Sequence, residues 1–305
     1  MSTPLGQHPP VAGGIDLDLP GVDVRLRATR WPGAGVPVLL LHGLASTRRF
    51  WDLVAPRLAG LPVLALDQRG HGDSDRPAGP YDGATVARDA LTALDALGYP
   101  RAVVVGHSWG ASTALRLAAE SPERVLAVVA VDGGPGPIRG GASALPPGAE
   151  RTQARARLEP PRTALPVAEL RERLAQGPLA PWWSPDVEAA VLAIFEEGPD
   201  GLARARLPFA THMAIVDDLL DTDPAGWLPQ IACPAWLVAA EQVGGDPWGA
   251  RKAAALEHAA GALARPRLQR WAGAVHDVPL QWPALVAGLI RAAVDEISPS
   301  ASVHQ

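Results

Sequence analysis

Cysteine is almost absent from this 305-residue chain, which carries only Cys233. A disulfide framework within the chain is therefore excluded, and one free thiol suits a reducing compartment. Cys233 stands just before Pro234 at the head of an apolar run, where a small buried filler is expected and not a nucleophile. Long hydrophobic runs are missing too: no stretch approaches the ~18 apolar residues that cross a bilayer. The first ten residues lack the basic start and apolar core of a secretory signal. These absences predict a soluble, cytoplasmic protein with no membrane partner. Nor is there an excess of charge. A net charge of −5 with 19% charged residues gives no electrostatic reason to expect nucleic acid. No Cys/His or carboxylate cluster has metal-ligand spacing, no Gly-x-Gly-x-x-Gly follows a strand, and no phosphate-cradling Lys-Ser/Thr motif occurs. Neither a metal nor a nucleotide cofactor is expected. Internal repeats are absent as well.

What is present is the balance of a globular protein, with 48% hydrophobic residues and length enough for one large α/β domain bearing an insertion. After a polar, proline-containing leader over 1–14, read as disordered, residues 15–30 alternate as half-exposed antiparallel strands joined at Pro20-Gly21. Continuous apolar runs at 36–41, 61–66, 103–105, 125–131 and 235–240 read as strands covered on both faces. Helical spacing between them (50–58, 84–97, 109–120) predicts a mainly parallel central sheet with helices on both faces. The alternation breaks at Gly133 and resumes near Pro234. The intervening stretch has helical segments around 166–176, 185–197 and 201–220, and is read as an inserted helical cap over 135–225, between core pieces 15–134 and 226–300. Helices are also expected at 248–264 and 283–297.

The chemistry centres on Val103-Val104-Val105-Gly106-His107-Ser108-Trp109-Gly110. A β-branched run ends in Gly-x-Ser-x-Gly and an Ala/Leu-rich stretch follows, which reads as strand, one-residue turn and helix. Chance yields roughly 0.1 such matches at this composition, so the strand-to-helix context carries the signal. A serine hydroxyl is a poor nucleophile without an imidazole to take its proton. That imidazole needs a carboxylate to fix its tautomer. Of eight histidines, His8 and His304 lie in the tails and His258 in mid-helix. His107 adjoins Ser108 and leaves the elbow on another side, while His42 and His71 belong to Gly-flanked turns. His276, after a short strand and before the last helix, is the natural base. His212 falls in the insertion.

This pattern resembles the α/β-hydrolase family, in its cap-bearing, serine esterase and lipase-like branch, over residues 22 to 297. His42-Gly43-Leu44-Ala45 matches the oxyanion-loop motif, which implies that the N–H groups of Leu44 and Trp109 form the oxyanion hole. The segment from Asp67 to Asp75 matches a largely structural loop. Gly106 to Gly110 matches the nucleophile elbow, and Gly273-x-x-His276 the histidine loop. In the family the acid usually follows the strand read here at 235–240, which puts Asp246 first. Some members carry it one strand earlier, which keeps Asp132 second, and Glu241 stands third. Serine at 108 argues against epoxide hydrolase and haloalkane dehalogenase chemistry, which need aspartate there. The expected activity is hydrolysis of an ester or lactone of a medium-sized, largely apolar small molecule. Carbon–carbon bond hydrolysis or perhydrolysis on the same triad is the runner-up, and a non-catalytic binding protein of the same fold is the other alternative. Trp182 and Trp183 in the insertion, with Trp109, His42 and His212, are the candidate substrate contacts. For any single tryptophan other than Trp109, ordinary packing is the competing role.

Overall fold

The computed structural model describes Leu5 and residues 11–134, 149–162, 164–241 and 247–298. The chain opens with β1 (Ile15–Pro20), β2 (Arg25–Trp31), β3 (Val38–Leu41) and β4 (Val63–Leu66), then α1 (Gly83–Ala96), β5 (Ala102–His107), α2 (Trp109–Glu120) and β6 (Val125–Val131). An intervening segment holds α3 (Ala149–Leu158), β7 (Leu165–Pro166), α4 (Val167–Ala175), α5 (Pro185–Leu192), β8 (Phe195–Glu197), β9 (Leu202–Ala205) and α6 (Phe209–Asp221). The sheet then resumes with β10 (Ala235–Glu241), α7 (Pro247–Ala262), β11 (Pro266–Ala272), α8 (Val278–Gln281) and α9 (Pro283–Ile297).

Eight strands form one sheet in the order β1-β2-β4-β3-β5-β6-β10-β11. The first two pairings are antiparallel and the rest parallel, as the alternating and the unbroken apolar patterns require. Every side chain of β3, β4 and β5 is buried. Because strand side chains alternate in direction, each strand feeds two apolar layers. Leu39, Leu41, Val104 and Val128 pack with Leu94 of α1, Leu115 of α2 and Leu256 of α7. Leu40, Val103, Val105 and Val129 face Val286 and Ile290 of α9 and the fully buried Trp51. This is the α/β-hydrolase fold, with a mostly parallel sheet between helices.

Two local expectations are corrected. The helix read over 50–58 is two 3₁₀ turns, Arg48–Trp51 and Ala55–Leu58. Pro56 has no N–H to bond back to Asp52, so an α-helix cannot run through it. The inserted segment is not purely helical either. The stretches read as helices over 185–197 and 201–220 each contain a short strand, and β7, β9 and β8 pair antiparallel in a sheet of their own. The cause is the Gly198-Pro199-Asp200-Gly201 turn. Gly201 has φ +74°, the Gly198 N–H bonds to the Leu202 carbonyl at 2.9 Å, and Asp200 Oδ1 accepts from the Leu202 N–H. An Asp-Gly pair of this kind turns a chain back on itself more readily than it continues a helix.

The loop after β4 is tied to α1 by a buried ion pair. Arg69 donates to both carboxylate oxygens of Asp89, whose Oδ1 also accepts the Val22 N–H at 2.7 Å. Arg69 further donates to the carbonyls of Pro80 and Val22 at 2.8 and 3.0 Å. Removing one partner strands the other charge away from water. Asp89→Ala is therefore expected to lower stability by about 3–5 kcal/mol, read as a lower urea midpoint; an unchanged midpoint would show that the pair contributes nothing.

Candidate active site

β5 ends at His107 and α2 begins at Trp109, so Ser108 alone makes the turn between them. Its backbone sits at φ 53°, ψ −118°, a conformation that costs of order 1–3 kcal/mol for a residue with a side chain. The flanking glycines make it unavoidable. A Cβ on Gly106 would stand 2.1 Å from the Gly110 carbonyl oxygen, and one on Gly110 would stand 2.3 Å from that of Leu41. Strand and helix backbones touch, and the serine is pushed outward, half-buried.

His276 lies in the loop between β11 and α8. Its Nε2 is 3.2 Å from Ser108 Oγ and its Nδ1 is 2.6 Å from Asp132 Oδ2. A carboxylate only accepts, so Nδ1 carries the proton and Nε2 presents its lone pair to the hydroxyl. Asp132 follows β6 at φ 43°, and its side chain is 1% exposed against 44% for that of His276. Its Oδ1 accepts the Ala240 N–H at 3.0 Å, which fixes the carboxylate from behind. The acid ranked second in the sequence is thus the one that meets the imidazole. Asp246, ranked first, lies outside the described residues. Glu241 pairs instead with Arg270 at 2.9 Å, on an exposed side.

Gln281 of α8 was not foreseen. Its Oε1 accepts the Val275 N–H at 2.8 Å and its Nε2 donates to the Gly273 carbonyl at 2.9 Å, a clamp on the histidine loop. No sequence rule marks an amide for such work. The turn carrying Leu44 closes against the elbow, since a Cβ on Gly43 would meet Ser108 Cβ at 3.0 Å. Beside it, His71 stacks on Trp109 with ring centroids 5.2 Å apart, accepts the Ala45 N–H on Nε2 and faces the Arg69 carbonyl through Nδ1.

Two of the candidate substrate contacts are corrected. His42 is fully buried, with Nδ1 on the Gly43 carbonyl at 2.8 Å and Nε2 receiving the Gln68 N–H at 3.1 Å. Both ring nitrogens serve the backbone, which leaves none for a ligand. His212 is buried in α6 with Nε2 on the Leu158 carbonyl at 2.9 Å, holding the inserted segment together. Trp182 and Trp183 are half-buried and pack against the apolar layer that contains Phe50 and Trp51. Trp109 is buried with Tyr81, Val86 and Ile215, and Leu44 packs against that cluster. Among the described residues no group of His, Cys, Asp or Glu is placed to hold a metal ion, and no helix is long and apolar enough to cross a membrane.

The family model described as "alpha/beta hydrolase fold" matches residues 36–184. A soluble epoxide hydrolase of Corynebacterium sp. is 38% identical over 112 residues, covering 36% of this chain and 39% of that protein. A putative carbamate hydrolase, RutD of Caulobacter segnis, is 42% identical over 110 residues, covering 34% and 40%. The chain thus spans about two fifths of the length of these curated relatives. Among solved structures, E-2-(acetamidomethylene)succinate hydrolase superimposes with a TM-score of 0.75 over 92% of this chain and 99% of that one, at 23% identity, a likeness of fold.

Burial lowers the basicity of the two histidines beneath the site, His42 to about 4 and His71 to about 3, from an ordinary 6.5. In the unfolded chain both take up protons near pH 6.5, so acidification below that pH favours unfolding until the folded pKa values are reached. The stability gap between the wild type and His71→Gln should therefore narrow by about 1.4 kcal/mol per pH unit from 6.5 down to about 4. Urea denaturation of the two proteins at several pH values measures this; a pH-independent gap would mean that His71 is charged in the folded state.

Proposed function

We propose, from the alpha/beta hydrolase fold model that matches residues 36–184 and from the geometry of the site, that the chain is a serine hydrolase that cleaves an ester or lactone of a largely apolar small molecule. The observation that carries this is the continuous hydrogen-bonded line from Ser108 Oγ through both nitrogens of His276 to Asp132. Ser108 attacks the carbonyl carbon as its proton passes to His276 Nε2. Asp132, held by the Ala240 N–H, stabilises the imidazolium that forms. The backbone N–H groups of Leu44 and Trp109 receive the oxyanion. His276 then gives the proton to the leaving alcohol. Water, deprotonated by the same imidazole, releases the acid and restores Ser108.

The relative named as a carbamate hydrolase supports chemistry at a carboxyl-type carbon, since a carbamate and an ester offer a serine the same electrophile. The relative named as an epoxide hydrolase does not extend to this chain's chemistry, because an alkyl–enzyme ester needs a carboxylate at the elbow and position 108 is serine. The half-buried apolar side chains of Leu44, beside Trp109, and of Trp182 and Trp183 support a largely apolar substrate.

A fluorophosphonate probe should label the native protein and not Ser108→Ala; an unlabelled wild type would sink the hydrolase reading. With p-nitrophenyl butyrate, Asp132→Asn is expected to lower kcat by about 10⁴-fold through the wrong imidazole tautomer. Asp246→Asn should stay within about threefold of wild type, a change of under 1 kcal/mol. The reverse order in steady-state kinetics would transfer the acid's role to Asp246.

A further inference from the structure

His107 makes neither of the two triad bonds, yet its ring is buried in the middle of the site. Its Nε2 lies 2.8 Å from the backbone carbonyl of His276, 169 residues away in the chain. A carbonyl only accepts, so that nitrogen must carry a proton and donate. One face of the ring stacks on Phe50 with centroids 4.5 Å apart, and the ring of His276 stands 4.7 Å away at a tilt of 47°. The oxyanion turn comes as close, since a Cβ on Gly43 would be 3.0 Å from His107 Nδ1. One side chain therefore touches the oxyanion turn, the 3₁₀ turn of Phe50 and the histidine loop, while its own backbone is bonded to Ser108.

We propose that His107 is a positioning residue, whose Nε2–H bond to the His276 carbonyl sets the distance between the imidazole and the Ser108 hydroxyl. Gly273 in the loop has φ +79°; its N–H donates to the Glu241 carbonyl of β10 at 2.7 Å, and Gln281 secures the backbone at Gly273 and Val275 from the α8 side, all short of His276 itself. At the base itself, the carbonyl of His276 is held by the residue adjoining the nucleophile. Base and nucleophile are thereby fixed to one another through a single ring and a single peptide unit. A misplacement of about 1 Å at such a contact costs about a hundredfold in rate.

The proposal rests on the serine-hydrolase reading for its kinetic test alone, so a second readout is independent of turnover. His107→Phe and His107→Leu keep an apolar or aromatic filler against Phe50 and remove the donor; His107→Gln keeps an N–H near the original position. With p-nitrophenyl butyrate, the first two should lose about ten- to a hundredfold in kcat at unchanged KM, and glutamine should restore kcat to within about threefold of wild type. In ¹H NMR, the downfield Nδ1–H resonance of His276 bonded to Asp132, assigned by its loss in His276→Gln, should broaden or move in the Phe and Leu variants and persist in the Gln variant. Circular dichroism establishes that each variant is folded, and either donor-free variant suffices. Wild-type kcat and resonance in a donor-free variant would overturn the proposal, as would a glutamine variant as impaired as the phenylalanine one. A wild type that turns over no ester would sink the hydrolase reading and leave the resonance comparison to decide on His107.

Discussion

Between β5 and α2 there is no space for a side chain, and the rest of the site follows from that contact. The backbone at Gly106 touches that at Gly110, which in turn touches the end of β3 at Leu41. The turn after β6 closes in as tightly, since a Cβ on Gly133 would stand 2.2 Å from the Ser108 carbonyl oxygen. Three strand ends are thereby brought within backbone contact of the elbow, residues 106–110. Serine at φ 53° is the only outlet for the chain at that point, and its neighbours are spaced by peptide geometry instead of by flexible side chains. The Asp132 carboxylate inherits this rigidity. It sits one residue before Gly133, and the amide of Ala240 on the adjacent strand holds it from the other side.

Features governed by local pattern were legible in the sequence. The apolar runs placed β3 to β6 and β10 within two residues, and the elbow motif placed Ser108 because strand, glycine and helix signals coincide there. His276 emerged because every other histidine had a plainer explanation. Choosing between Asp132 and Asp246 was a different problem. Both come after apolar strand signals in the sequence, and which carboxylate reaches the imidazole is a tertiary quantity that no local pattern encodes. The buried role of His42 was hidden for the same reason, since nothing local says that Gln68, on a neighbouring strand's loop, will donate to its ring. His107 was set aside because adjacency to the nucleophile disqualified it as a base, while adjacency is what gives it leverage on His276. The hairpin at Gly198–Gly201 was legible in principle. Its Asp200-Gly201 pair is a local turn signal, flanked on both sides by helix-forming residues.

Electrostatics join the parts that packing leaves separate. Arg48, nearly buried, bonds Asp67 and lies 2.9 Å from Asp73 and 3.1 Å from Asp16, so β1, the 3₁₀ turn Arg48–Trp51 and the loop after β4 share one guanidinium. Asp73 also pairs with Arg206 of the inserted segment, and Asp218 of α6 accepts the Gly83 N–H at the start of α1 at 3.1 Å. Isolated exposed ion pairs contribute little. A cluster of five charges with its centre buried is held more firmly, because each member satisfies groups that would otherwise be stranded.

The small sheet of β7, β9 and β8 gives the inserted segment an internal frame. With those backbone groups satisfied among themselves, the segment leans on the catalytic body mainly through side chains such as Arg206, Asp218 and Ile215. Its outward faces are free to vary without disturbing the strands, whereas Leu179, Val187 and Ala190, buried in the same apolar layer as Trp51 and Val103, moor it to them.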